Sequence, residues 1–241
     1  MNSARIFRIA SVEMPLVEMT SDVSLSRHDV VNFLNGQGNI GIELGVAKGI
    51  YSKRMVDSKK FSLFFGVDCY GDIHDTDEYL GALKRVGFDN ANYKLIRSDF
   101  DSALTLFPDN YFDYIYIDGY AHTGEKGGET IVKWFPKLKP GGILAGDDYH
   151  EQWPLVVWAV NDVAMQLGVP VSIAARTEDQ EYCKFPTWFL RKNSNPPTLV
   201  LNETLYRLGV VEGRRIARLR NYAKLKTSLK LLLKKIFSKL W

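Results

Sequence analysis

The sequence predicts a doubly wound α/β fold built on a seven-stranded sheet. Three observations carry the prediction. Between Asn39 and Gly142 short β-rich runs alternate with stretches at helical spacing, the first run ends in a glycine-containing turn, and two late β-runs stand too close together for a helical crossover. The first five candidate strands are NIGIELG (39–45), FSLFFGVD (61–68), NYKLIRSD (92–99), FDYIYIDG (112–119) and GILAGDD (142–148). Their near-continuous apolar character suits strands covered by helices on both faces. Helices are predicted at about 47–57, 77–86, 100–107, 127–138 and 154–167, with Gly87 and Gly168 as C-caps of two of them. VSIAART (171–177) and TWFLRKN (187–193) then read as an antiparallel pair closing a Rossmann-like sheet. The predicted organisation is a helical cap segment over 1–38, with a helix around Arg27–Asn35, a central domain over 39–193, and a linker plus basic amphipathic helix over 194–241.

A chain of 241 residues, 46% hydrophobic, is long enough to bury one full core, which excludes disorder and small disulfide-stapled folds. Two cysteines, Cys69 and Cys183, make no disulfide framework and point to a reducing, cytoplasmic setting. Glu13 and Glu18 interrupt the opening segment where a secretory apolar core would lie, so neither export nor a spanning helix is expected. The net charge of +3 conceals an asymmetry. Residues 207–241 carry 11 Lys and Arg against Glu212 alone, leaving 20 bases and 27 acids in residues 1–206. Blocks of one sign mark interaction surfaces.

Doubly wound sheets bind ligands at the carboxyl ends of their strands, near the point where strand order reverses. The first predicted strand ends in Glu43-Leu44-Gly45-Val46-Ala47-Lys48-Gly49, whose two glycines permit a sharp turn and close approach to a ligand. A third glycine at dinucleotide spacing is missing, which argues against a dehydrogenase. Asp68 ends the second strand, placed to accept from ribose hydroxyls, and Asp99 ends the third, within reach of an adenine amino group. Acids at three successive strand ends suit a nucleoside without phosphates and favour a cation.

These residues, over roughly 39–192, resemble the class I S-adenosylmethionine-dependent methyltransferases, whose first motif is an acid-x-Gly-x-x-x-Gly turn. The resemblance implies that Glu43, Gly45 and Gly49 hold the amino-acid end of S-adenosylmethionine, Asp68 its ribose, and Asp99 with Phe100 its adenine. Asp118 after the fourth strand and Asp147-Asp148 after the fifth are similar to the acids that bind Mg²⁺ in metal-dependent O-methyltransferases of catechol, sugar and macrolide-sugar type. On that resemblance Asp118, Asp147 and Asp148 are divalent-metal ligands, Asp118 also borders the cofactor, and His122 is the general base. This chain has one residue more between Asp118 and His122 than the sugar-type pattern, which leaves His150 as the rival base. An Asn-Pro-Pro-aromatic motif, carried by aminomethylating nucleic-acid enzymes at the fourth strand end, is absent at Asp118, which favours oxygen as the methyl acceptor.

From Leu219 to Leu240 apolar residues recur at steps of three and four, with lysines on the other faces and Trp241 at the end. Such a helix suits an anionic membrane surface; packing against the domain or in a homo-oligomer is the alternative. The acidic body and the few aromatics among the tail charges argue against nucleic acid. The sequence thus leads to a cytoplasmic, metal-assisted O-methyltransferase for a sugar or glycolipid precursor, held peripherally at the membrane. A small-phenol or RNA methyltransferase, or a silent membrane-assembly module, are the competing readings.

Overall fold

The computed structural model describes residues 3–71, 75–178 and 183–237, with side chains described as far as Tyr222. Eight strands form one sheet: β1 (Met19–Ser26), β2 (Asn39–Leu44), β3 (Phe61–Asp68), β4 (Tyr93–Arg97), β5 (Phe112–Ile117), β6 (Leu138–Gly146), β7 (Val171–Arg176) and β8 (Thr187–Arg191). Their spatial order is β1-β7-β8-β6-β5-β2-β3-β4, and all neighbours run parallel except where β8 lies antiparallel between β6 and β7. Strand order therefore reverses between β2 and β5, which are directly paired from Gly41–Tyr114 to Leu44–Ile117.

The seven expected strands are all present, and the eighth corrects the count. β1 joins β7 in parallel at the sheet edge, and its first six residues are exposed. MTSDVSLS alternates only weakly, with Met19, Val23 and Leu25 on one face interrupted by Ser21, and this face is largely exposed; backbone pairing to β7 makes it a strand. Before it, α1 (Ser3–Glu13) buries Ile6 and Ala10. The helix expected around Arg27–Asn35 shortens to a 3₁₀ turn, Val30–Phe33.

The remaining helices are α2 (Ile50–Asp57), α3 (Thr76–Ala82, continued by a π turn to Gly87), α4 (Phe100–Leu104), α5 (Gly124–Gly127), α6 (Glu129–Trp134), α7 (Pro154–Leu167) and α8 (Glu203–Phe237). α5 is a single turn with left-handed backbone at Glu125 and Lys126. α7 begins with proline, ends at left-handed Gly168, and is apolar nearly all round because α1 and α8 cover it outside the sheet. Leu199, Leu205 and Leu208 are buried, so the segment after the 193–198 turn returns to the domain. There α8 meets α5 at two glycines: a Cβ on Gly209 would come within 2.7 Å of the Gly127 nitrogen. Farther out, Leu219 and Tyr222 are exposed; the faces of α8 beyond Tyr222, and Trp241, lie outside the described residues. No helix among the described residues is long and apolar enough to cross a membrane.

Candidate active site at the carboxyl ends of the strands

The turn after β2 is built by steric necessity. Gly45 has φ 100°, and a Cβ there would lie 1.9 Å from the Asp118 carbonyl oxygen, so β2 and β5 can exit side by side only with glycine at this position. The Gly45 N–H donates to Val67 O (2.9 Å) and the Asp118 N–H to Leu44 O (2.8 Å), fixing the turn to β3 and β5. Asp68 completes it: its Oδ2 accepts from the N–H groups of Val46 and Ala47, each at 2.9 Å, and its Oδ1 from Tyr70 N–H at 3.2 Å. The carboxylate expected at a ribose is thus first a clamp on the glycine turn, with acceptor capacity left over. Gly49, also left-handed (φ 73°), starts α2.

Two clefts flank this turn and share Gly45, Ala47 and Asp118. One, of about 50 Å³, is lined by Gly45, Asp68, Asp99, Phe100, Asp118 and Tyr120. Asp99 also caps α4, accepting from Ser102 N–H (2.9 Å) and Oγ–H (2.8 Å), and these bonds hold its carboxyl below the usual range. Phe100 is buried edge-on against Tyr120, with ring centres 5.0 Å apart. The other cleft, of about 80 Å³, is lined by Arg27, His28, Glu43, Gly45, Asp118 and Cys183. Glu43 is 1% exposed and accepts from Ser52 Oγ–H; burial pushes its carboxyl well above the usual range, against the pull of that hydrogen bond and of the Arg27 charge.

Two of the three aspartates expected to converge on a divalent ion, Asp118 and Asp147, converge on Arg27. Its guanidinium, 4% exposed, donates from Nη2 to Asp118 Oδ2 (2.8 Å) and from Nη1 to Asp147 Oδ2 (2.9 Å). It lies over the rings of Tyr51 and Tyr116, 4.8 and 5.1 Å from their centres. Asp147 Oδ1 accepts from Thr187 Oγ–H at 3.0 Å, so both oxygens of Asp147 are engaged. Burial pushes the Asp147 carboxyl upward against the pull of Arg27. Asp148, at φ 64°, is pushed up by burial and by Asp118 and Asp147. Glu125, 3% exposed on the left-handed α5 turn, accepts from Tyr120 N–H at 3.3 Å, and burial with the Asp118 charge pushes it up to about 8. This donor set does not fit Mg²⁺ between Asp118 and Asp147, because an internal cation already takes the facing oxygens.

Neither expected base, His122 or His150, lines either cleft. The 3₁₀ turn Ala121–Thr123 sets His122 edge-on to Trp153 at 4.7 Å, and burial lowers its basicity. His150 packs at 5.1 Å on Phe185, its Nδ1 accepting from Gln152 N–H at 3.2 Å. The histidine that does line a cleft is His28, with Cys183 Sγ 3.8 Å from its Nε2; burial and the Arg27 charge lower it to about 4. Arg27, His28, Glu125 and Cys183 were not foreseen. The available signal was the Arg27-His28-Asp29 run, a dense set of polar groups in a segment read as a helical cap. A larger hollow, about 1060 Å³, lies elsewhere: it is lined by β1 (residues 20–25), the starts of β6 and β7 and the end of β8, and contains none of these groups.

A search of curated proteins finds no match. Among solved structures, spermidine synthase from Thermotoga maritima aligns at a TM-score of 0.53 and 15% identity, covering 76% of this chain and 69% of that one. An rRNA methylase from Streptococcus thermophilus aligns at 0.49 and 16% identity, covering 69% of this chain and 93% of that one. A chain from the complex between the Haloferax volcanii Trm112 methyltransferase activator and the putative methyltransferase aligns at 0.39 and 20% identity, and this chain spans about half of it (51%). The first of these supports the fold alone. Residues 42–149, which run from β2 past β6 and include every strand-end carboxylate described above, match a family model described as a methyltransferase domain.

Proposed function

We propose that this chain is an S-adenosylmethionine-dependent methyltransferase acting on a hydroxyl of a sugar or similar polyol, with Arg27 in the place expected for a divalent ion. One observation carries the reading: two clefts meet at the obligatory Gly45 turn, one walled by Phe100 and the acids Asp68 and Asp99, the other by Glu43 and Asp118. The first suits a nucleoside, with an aromatic wall and carboxylates for hydroxyl and amino donors. The second suits a cation, since the carboxyl groups of Glu43 and Asp118 both line it.

The residues of this chain then have separate tasks. When bound, the cofactor supplies an electrophilic methyl whose leaving group departs as a neutral thioether. Asp118, held by Arg27, sets a fixed negative charge where the clefts join, the place for a sulfonium. Arg27 keeps Asp118 and Asp147 apart in charge and in place, so an acceptor meets a rigid wall. The acceptor enters beside His28 and Cys183. The preference for oxygen rests on the missing amine-acceptor motif at Asp118. Exposed Leu219 and Tyr222 on α8 support a further part of the reading, attachment of the C-terminal helix to an anionic membrane surface.

Calorimetry of the full chain with S-adenosylmethionine tests the core of the proposal. Saturable binding that weakens in Asp68→Asn and Asp99→Ala is expected, and absence of binding at millimolar cofactor would turn the reading to a silent module. Transfer of labelled methyl to polyols, phenols and RNA then separates the acceptor classes, and transfer to RNA or phenols alone would overturn the polyol assignment.

A further inference from the structure

The donors that do converge beside the cleft are His28, Glu178 and Cys183. One ligand atom from each lies within 4.8 Å of the other two, and this is the group of this kind among the described residues. We propose that these three side chains bind a borderline-soft divalent cation, Zn²⁺ by their chemistry, with an open fourth position facing the acceptor side of the cleft; as an acceptor-activating device this rests on the methyltransferase reading.

The placement follows from the sheet. His28 lies just beyond the carboxyl end of β1, Glu178 just beyond that of β7, and Cys183 just ahead of β8, so pairing of β1, β7 and β8 brings the three together. The Glu178 N–H donates to Cys183 O at 3.1 Å, which ties the two ligands on that connection to each other. In a tetrahedral zinc site a sulfur and a nitrogen ligand stand about 3.6 Å apart; His28 Nε2 and Cys183 Sγ stand at 3.8 Å. Small side-chain rotations bring the carboxylate in. One nitrogen, one sulfur and one oxygen favour zinc over magnesium, which takes oxygen ligands. Three protein ligands are the complement of a catalytic zinc, where substrate or water takes the fourth place.

Electrostatics permit the ion. Arg27 is engaged by Asp118 and Asp147 and also hydrogen-bonds the Cys183 side chain, a contact that holds the sulfur toward its thiolate form. A thiolate and a carboxylate neutralise the two added charges. Two of the ligands, His28 and Cys183, line the cleft that also holds Gly45 and Asp118. An acceptor O–H bound at the open position loses its proton to solvent, the metal holding the oxygen as an alkoxide. That oxygen then forms the bond to the methyl carbon as the carbon–sulfur bond breaks, its electron pair staying on sulfur.

Cobalt(II) is the probe. Titrating the metal-free full chain with Co²⁺ should give a thiolate-to-metal band in the near ultraviolet with intense tetrahedral d–d absorption, saturating at one equivalent and displaced by Zn²⁺. The band should vanish in Cys183→Ser, persist in Cys69→Ser, and shift to weaker binding in Glu178→Gln, a partly buried position; urea midpoints confirm that both site variants are folded. No charge-transfer band, or one that survives Cys183→Ser, overturns the site. Calorimetry with S-adenosylmethionine on the same samples keeps the two ideas apart: the band without cofactor binding preserves the site and removes the methyltransferase reading, and cofactor binding without the band does the reverse.

Discussion

Replacing Arg27 by methionine is the most informative perturbation of this molecule. The guanidinium is 4% exposed and makes charge-assisted hydrogen bonds of 2.8 and 2.9 Å to two carboxylates, one of them, Asp147, 6% exposed. Removing one partner of a buried ion pair costs about 3–5 kcal/mol, mostly because the remaining charge is left uncompensated. Here two are left, with Asp148 and Glu125 close enough to act on them. The variant can recover part of the loss by protonation. Without Arg27 nothing offsets the burial that pushes the Asp147 carboxyl upward, and a raised carboxyl contributes stability that is present at low pH and lost as pH rises through its folded value. The deficit measured by urea unfolding should therefore be about 3–5 kcal/mol at pH 8 and clearly smaller at pH 5. Mg²⁺ should then stabilise the variant by mass action, about 2.7 kcal/mol at a hundred times its Kd, and leave the wild type unchanged. A deficit below about 1 kcal/mol, the range of exposed pairs, or one that does not vary between pH 5 and 8, would refute the claim that this arginine neutralises the cluster.

Three further outcomes are expected. Glu125→Gln keeps the acceptor for Tyr120 N–H and removes a carboxyl that burial pushes from 4.5 to about 8; chemical denaturation should show a gain of about 3 kcal/mol at pH 7 and little at pH 4, because the folded protein holds that proton while the unfolded chain releases it above 4.5. Gly45→Ala sets a methyl 1.9 Å from the Asp118 carbonyl at φ 100°; thermal melts should show a loss above about 2 kcal/mol, and a wild-type melt would disprove the steric account of the turn. In flotation with anionic liposomes the full chain should rise and a chain ending at Tyr222 should stay below, a cut that spares the buried Leu205, Leu208 and Glu212; equal behaviour of the two removes the membrane reading.

Seven strands were legible because burial on both faces writes itself into composition: FDYIYI in β5 and GILAG in β6 have few polar residues to misplace. The strand-end acids were legible for a related reason, since a carboxylate after such a run can only lie at the rim. β1 was not, because an exposed edge strand needs no apolar pattern and is held by its backbone. The partner of the acids was hidden more deeply. Arg27 stands 91 residues from Asp118 and 120 from Asp147, and nothing local distinguishes it from a solvated arginine. The inference that clustered carboxylates require a cation was physically sound. What composition and spacing do not contain is where that cation comes from, because the answer depends on β1 pairing with β7 and delivering the next residue, Arg27, to the centre of the sheet rim. The same pairing delivers His28 to the connection that carries Glu178 and Cys183. The strand with the weakest sequence signal therefore supplies both the arginine that fills one expected metal position and the histidine that opens another.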